Sequence, residues 1–271
     1  MIDWNDAFDN SGYIPGSDDL IEQWENKAAA YRQSMLAADC AELNVGYGDE
    51  PRNKFDLFKP KKESKGLVFF VHGGFWHMLD KSYWSHLAKG AVDQGWSVAM
   101  PSYTLAPDAK ITQITQQIAI AIGAAAAMVE GPIRLVGHSA GGHLVTRMAC
   151  VDSPMTTTTI SRVSGVVSIS GIYDLRPLTL TKMNQVLGLT DDEAIAESPV
   201  FYSPRQDIPI CFWVGDEERP EFLRQNRLIC EIWSNNSNHV DACYQTGKHH
   251  FSVIDDLAIA NSRLTQLLTA Q

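Results

Sequence analysis

The sequence predicts an α/β protein: a mostly parallel central sheet with helices on both faces. Three observations lead there. Short apolar runs alternate with segments of helical length, the pattern of repeated βα units. One of those runs, Gly66-Leu-Val-Phe-Phe-Val-His72, is almost wholly apolar, as a strand buried on both faces must be. The chain has 271 residues, enough for one large α/β domain, and no Pro/Gly-rich linker divides it. A single domain over 1–271 is expected.

The elements follow in order. Leu20, Ile21, Trp24, Ala28, Tyr31 and Met35 recur near helical spacing, which predicts a helix over 18–37. Short strands are expected at 43–47 and 55–58, and the strong one at 66–72. Alternation then predicts helix 83–95, strand 96–101, Ala-rich helix 111–130, strand 133–137, helix 139–151 and strands 163–170 and 208–214. Helix 220–234, strand 242–245 and a terminal helix 252–270 complete the chain. Residues 175–205 interrupt the alternation with two short helical stretches, where a small insertion or lid over the sheet edge would sit.

Composition narrows the function. Lys and Arg number 22 against 32 Asp and Glu, a formal charge of −10. A 45% hydrophobic content excludes disorder for the bulk of the chain. An acidic surface repels phosphate backbones and anionic lipid, so neither nucleic acid nor membrane is an expected partner. The N-terminus lacks a basic and then apolar stretch, so no signal peptide is expected, and the longest apolar run, 118–129, is too short to span a bilayer. Five cysteines, an odd number with no C-x-x-C pair, read as buried free thiols in a reducing, cytoplasmic setting. A homodimer is the base-rate expectation.

Gly137-His138-Ser139-Ala140-Gly141 is a G-x-S-x-G. Alone the pattern is weak. Here an apolar strand precedes it and a helical run follows, and strand, sharp turn, helix is the arrangement that lifts a serine hydroxyl above a sheet. The small flanking residues are needed where strained backbone passes close to neighbouring strands. His72-Gly73-Gly74-Phe75-Trp76 follows the strongest strand, where an α/β-hydrolase fold places its oxyanion loop. Amides of Gly73 and Gly74, with that of Ala140 after the serine, are the candidate oxyanion donors.

A serine nucleophile needs a base and an orienting acid, in the chain order Ser, Asp/Glu, His. The strand 208–214 runs into Gly215-Asp216-Glu217-Glu218, and Lys248-His249-His250-Phe251 lies before the last helix. One of those acids and one of those histidines complete the set. No H-E-x-x-H, clustered His/Cys spacing or phosphate-binding glycine loop occurs, so no metal or organic cofactor is expected. His138 and His143 flank the serine turn and are expected to shape it.

With these segments the chain resembles an α/β-hydrolase of the hormone-sensitive-lipase-like branch, and more narrowly the arylformamidases (kynurenine formamidases). The resemblance rests on His72-Gly-Gly-Phe-Trp76, Ser102-Tyr-Thr-Leu-Ala-Pro107, Gly137-His-Ser-Ala-Gly-Gly-His143, Pro220-Glu-Phe-Leu-Arg-Gln225 and His250-Phe-Ser-Val-Ile254, and spans nearly the whole chain. It implies Ser139 as nucleophile, His250 as base and Glu218 as acid. Glutamate stands where aspartate is common in the family, with Asp216 as the competing acid. The implied reaction is hydrolysis of the N-formyl amide of a small aryl-amine substrate such as N-formyl-kynurenine, a step of tryptophan catabolism. Phe75, Trp76 and Tyr103 are the expected apolar walls for the aryl group. Two rivals stand beside this reading: a short-chain carboxylesterase with the same machinery, and a non-catalytic ligand-binding module on the same fold.

Overall fold

The structure is a computed structural model that describes residues 2–235 and 239–270. Eight strands form one sheet: β1 (Ala41–Gly46), β2 (Lys54–Phe58), β3 (Leu67–Val71), β4 (Ser97–Pro101), β5 (Ile133–His138), β6 (Val163–Ile169), β7 (Ile210–Gly215) and β8 (Val240–Gln245). Their spatial order is β1-β2-β4-β3-β5-β6-β7-β8. The pairs β1–β2 and β2–β4 are antiparallel, and every pair from β4 to β8 is parallel. This is the α/β-hydrolase fold.

The helices are α1 (Trp4–Ala7), α2 (Ser17–Ala37), α3 (Lys89–Asp93), α4 (Ile111–Ala126), α5 (Ala140–Met148), α6 (Thr157–Ile160), α7 (Asn184–Leu187), α8 (Asp191–Ala196), α9 (Pro220–Ser234) and α10 (Arg263–Thr269). Strand pleat sorts the core into two layers. Leu67, Phe69 and Val71 of β3 face Ile118 of α4, Leu144 of α5 and Phe222 of α9 in one layer. Val68 and Phe70 face Trp24 of α2, Ala91 of α3 and Leu264 of α10 in the other.

Two expected helices are broken. Segment 83–95 forms 3₁₀ turns at Lys81–Tyr83 and Ser85–Ala88 and then the short α3. Close packing on the C-terminal segment wins over helix continuity there: a Cβ on Gly90 would lie 2.3 Å from the Leu257 carbonyl oxygen. The terminal helix splits into a 3₁₀ turn, Asp255–Ala258, and α10, because Ser262 starts a new helix by accepting the Thr265 N–H at 3.0 Å. Segment 175–205 holds four short pieces rather than two: 3₁₀ turns Arg176–Leu180 and Pro199–Phe201 around α7 and α8. All five cysteines are free, four of them buried. Among the described residues, no helix is long and apolar enough to cross a membrane.

The parallel strands all point the same way, so the loops leaving β3, β5, β6, β7 and β8 meet at one sheet edge. Residues at that edge face a common crevice.

Candidate active site

Ser139 sits between β5 and α5 with φ 56° and ψ −118°. A serine at positive φ is strained, and surrounding structure has to hold it. Its N–H donates to the Ile169 carbonyl of β6 at 2.8 Å. Close packing does the rest: a Cβ on Gly141 would lie 2.0 Å from the Val71 carbonyl oxygen, so only glycine lets α5 press against β3.

His250, on the loop after β8, points its Nδ1–H at Glu218 Oε2, 2.6 Å away. The pair is buried. The other carboxylate oxygen, Oε1, accepts the Gly215 N–H at 3.0 Å and the Ser170 hydroxyl. Glu218 is thus held by the ends of β6 and β7 and aimed by them. Asp216 and Glu217 are both exposed, and Asp216 accepts the Gly247 N–H at 2.8 Å instead. His249 turns away as well: its Nδ1 accepts the N–H groups of Phe251 and Ser252 at 3.2 and 3.3 Å.

His138 holds the base from behind. Its Nε2–H donates to the His250 carbonyl at 2.9 Å, and the two rings lie 4.7 Å apart. Burial, together with the nearby His250, keeps the His138 pKa well below its ordinary value, so this ring stays neutral.

The loop after β3 brings Gly73 and Gly74 beside the serine. A Cβ on Gly73 would lie 2.9 Å from Ser139 Cβ. Gly74 adopts φ +106°, where an added Cβ would also meet the Met78 carbonyl oxygen at 2.2 Å. The His72 ring donates from Nδ1 to the Gly73 carbonyl at 2.6 Å. Pinning that carbonyl turns the Gly74 N–H of the same planar peptide the opposite way. Burial pushes the His72 pKa down to about 4, so the ring is neutral near neutral pH. Ala140 opens α5, and a first-turn N–H has no partner within its own helix. Among the described residues, the Gly73 and Gly74 amides donate to no protein acceptor.

These groups border a cavity of about 520 Å³. Ser139, His250, Gly73 and Gly74 line it, with Trp24, Trp84, Phe75, Met78 and Phe251 as apolar walls. The expectation for Phe75 fits its place in that wall. Trp76 and Tyr103 are corrected: both side chains are fully buried behind the cavity and neither lines it. Positive φ at Phe75 and Trp76 turns the Trp76 indole inward, edge-on to His143 at 5.2 Å. Tyr103 stacks on His72 at 4.5 Å and donates its hydroxyl to the His72 carbonyl at 3.1 Å, so it braces the glycine loop.

The sequence offers 175–205 as an insertion or lid over the sheet edge, but raises no such expectation for the N-terminal part of the cavity roof. Residues of the N-terminal segment, including Asn5, Phe8 and Asn10, cover it from one side, and Lys182, Met183 and Val186 from the other. The segment is fastened beside the acid: Arg219 pairs with Asp6 at 2.6 Å and stacks over Tyr13. Phe8 packs edge-on against Phe222. The available signal was the aromatic pair Trp4 and Phe8, four apart, in an otherwise polar stretch. Among the described residues, no group of three or more His, Cys, Asp or Glu side chains forms a metal-binding cluster.

A serine at a strained turn, an imidazole braced by a buried carboxylate, and unpaired amides at the mouth of an apolar cavity form an arrangement suited to nucleophilic acyl transfer. Comparison with known proteins agrees. Residues 55–225 match the family model BD-FAE. The chain is 30% identical to the kynurenine formamidase of Danio rerio over 93% of its own length and 89% of that protein. It is 30% identical to the isoprenylcysteine alpha-carbonyl methylesterase of Arabidopsis thaliana over 50% of its length and 35% of that protein. A solved structure of a candidate thioesterase from Silicibacter sp. tm1040 is 46% identical, with a TM-score of 0.94 and 100% of each chain covered.

Proposed function

This chain belongs to the BD-FAE family and is an arylformamidase-like α/β-hydrolase, and on that footing we propose that it hydrolyses the N-formyl amide of an aryl amine such as N-formyl-kynurenine. The carrying observation is the buried Glu218–His250 pair at the cavity that Ser139 and two glycine amides share.

In this reading Ser139 Oγ attacks the formyl carbon while His250 takes its proton. The tetrahedral oxyanion lies on the amides of Gly73, Gly74 and Ala140, each worth about 3–4 kcal/mol in the transition state. The C–N bond then breaks, and His250 gives the proton to the departing aryl nitrogen. A water activated by the same imidazole attacks the formyl-serine, releasing formate and restoring the hydroxyl. Glu218 holds His250 in the tautomer with Nε2 free and stabilises the imidazolium. The tight approach of Gly73 to Ser139 suits a formyl group, the smallest acyl. Trp24, Trp84 and Phe251 suit an aryl ring.

The second reading is a short-chain carboxylesterase, favoured by the methylesterase similarity over half of the chain. Both readings are tested by measuring formate release from N-formyl-kynurenine beside turnover of p-nitrophenyl acetate and a short acyl thioester. Formate release is the expected result. Turnover of the ester or thioester without formate release would replace the formamidase reading.

A further inference from the structure

We propose that a small cavity behind the Glu218–His250 pair binds one water, and that Asn10 acts through that water as a positioning residue for the acid. The proposal stands on the serine, the acid and the base alone. It therefore holds for a formamide, an ester or a thioester, and goes beyond the formamidase reading.

Three observations carry it. First, the cavity has the size of its ligand. It measures about 20 Å³, and Asn10, Tyr13 and Arg219 line it together with Glu218, His249 and His250. A site of roughly 10–15 Å³ already holds a water. Second, its wall has unmet hydrogen-bonding capacity. Asn10 is 4% exposed, and among the described residues neither its amide nitrogen nor its oxygen has a partner. Its side chain caps nothing either, although a 3₁₀ turn, Ser11–Tyr13, starts directly after it. Arg219 spends its Nη2 on Asp6, while its Nε–H is buried and finds no partner among the described residues. Third, the acid has an acceptor place left. Glu218 Oε1 takes two donors, the Gly215 N–H and the Ser170 hydroxyl, but Oε2 takes the His250 Nδ1–H at 2.6 Å and no other described donor. A carboxylate oxygen accepts about two.

The groups around the cavity select water over an ion. A cation would face Arg219, and an anion would face Glu218. A water accepts an N–H from Asn10 or Arg219 and donates to Glu218 Oε2, so it serves both walls at once. Buried polar groups are met in this way as a rule. Asn10 is placed where this matters, because it also lines the substrate cavity beside Ser139 and His250. The Asp6–Arg219 pair and the Phe8–Phe222 contact hold its segment there. Through the water, the N-terminal segment steadies the carboxylate that aims the base.

The test is the labelling of Ser139 by a fluorophosphonate, which needs the activated hydroxyl but no particular acyl group. Asn10→Leu keeps the bulk and removes both polar ends. It should slow the limiting labelling rate about tenfold, the weight of one hydrogen bond to a charged group. The probe concentration giving half that rate should stay within about threefold, whereas a collapsed roof would move it. Asn10→Ser carries a donor and an acceptor and leaves space for water, so it should recover most of the rate. A crystal structure of the wild type should show one ordered water within hydrogen-bond reach of Asn10 and Glu218. An unchanged rate in Asn10→Leu, equal losses in the two variants, or a wild-type crystal structure with no water at that place overturns the proposal. Should Asn10→Leu fail to fold, the wild-type crystal structure and a near-wild-type rate in Asn10→Ser decide it. Absent formate release would end the formamidase reading and leave this labelling result standing by itself.

Discussion

Glu218 Oε2 lies 2.6 Å from His250 Nδ1, although two other acids, Asp216 and Glu217, precede Glu218 in the same loop. The choice follows from the ladder. Gly215, the last residue of β7, gives its N–H to Glu218 Oε1, so the turn folds back and leaves Asp216 and Glu217 in water. Glu218→Gln keeps the shape but favours the wrong imidazole tautomer. It should lower kcat about 10³–10⁴-fold. Asp216→Asn should stay within about threefold of wild type, as surface changes usually do. Steady-state kinetics of the two variants, side by side, check the assignment; equal losses would refute it.

Ser139→Ala should remove at least about 10⁴-fold of kcat, because the nucleophile and base act as one unit. The fold should survive, since the strained turn is held by the Ile169 carbonyl and the Gly141 contact rather than by the hydroxyl. Formate release and thermal unfolding, measured on the same preparation, separate the two effects.

Gly74→Ala should act on rate more than on binding. The new methyl would press on the Met78 carbonyl oxygen and force the loop off its φ of +106°. Displacing one oxyanion donor costs about 10²–10³-fold in kcat. Gly141→Ala should instead lower stability, because its methyl meets β3 backbone in the core. A Gly74→Ala enzyme with unchanged kcat would remove that amide from the mechanism.

Acid should destabilise the protein before its carboxylates titrate. Burial depresses His72 to about 4 and His143 to about 3, against 6.5 for the exposed side chain. Below 6.5 the unfolded chain binds protons that these rings refuse, so stability is full above that value and falls as pH drops toward 4. Each unit of that gap costs about 1.4 kcal/mol per ring. Urea midpoints measured from pH 7.5 to 4.5 should decline steadily. A flat profile would mean that the rings are not buried neutral.

Much of this was legible because it is local. A continuous apolar strand, a serine between small residues and a glycine pair after β3 each state their own geometry. Helix 220–234 was readable to its ends, since Pro220 starts it and its periodicity is unbroken. Less local features were hidden. Trp76 sits in a loop that faces the site, but positive φ at two successive residues turns its side chain away, and no sequence pattern announces that. Tyr103 became a brace because His72 lies beneath it across the sheet. The N-terminal part of the roof depends on Asp6 meeting Arg219 and Phe8 meeting Phe222, contacts more than 200 positions apart in the chain.

The central claim is that Ser139 and its partners serve an aryl formamide. The direct measurement is the ratio of kcat/KM for N-formyl-kynurenine to that for p-nitrophenyl acetate, because it compares transition-state binding for the two reactions in one site. Esters are intrinsically easier to cleave than amides. A ratio well above one, abolished on both substrates by Ser139→Ala, is the predicted result. A ratio far below one, with no formate released, would contradict the account.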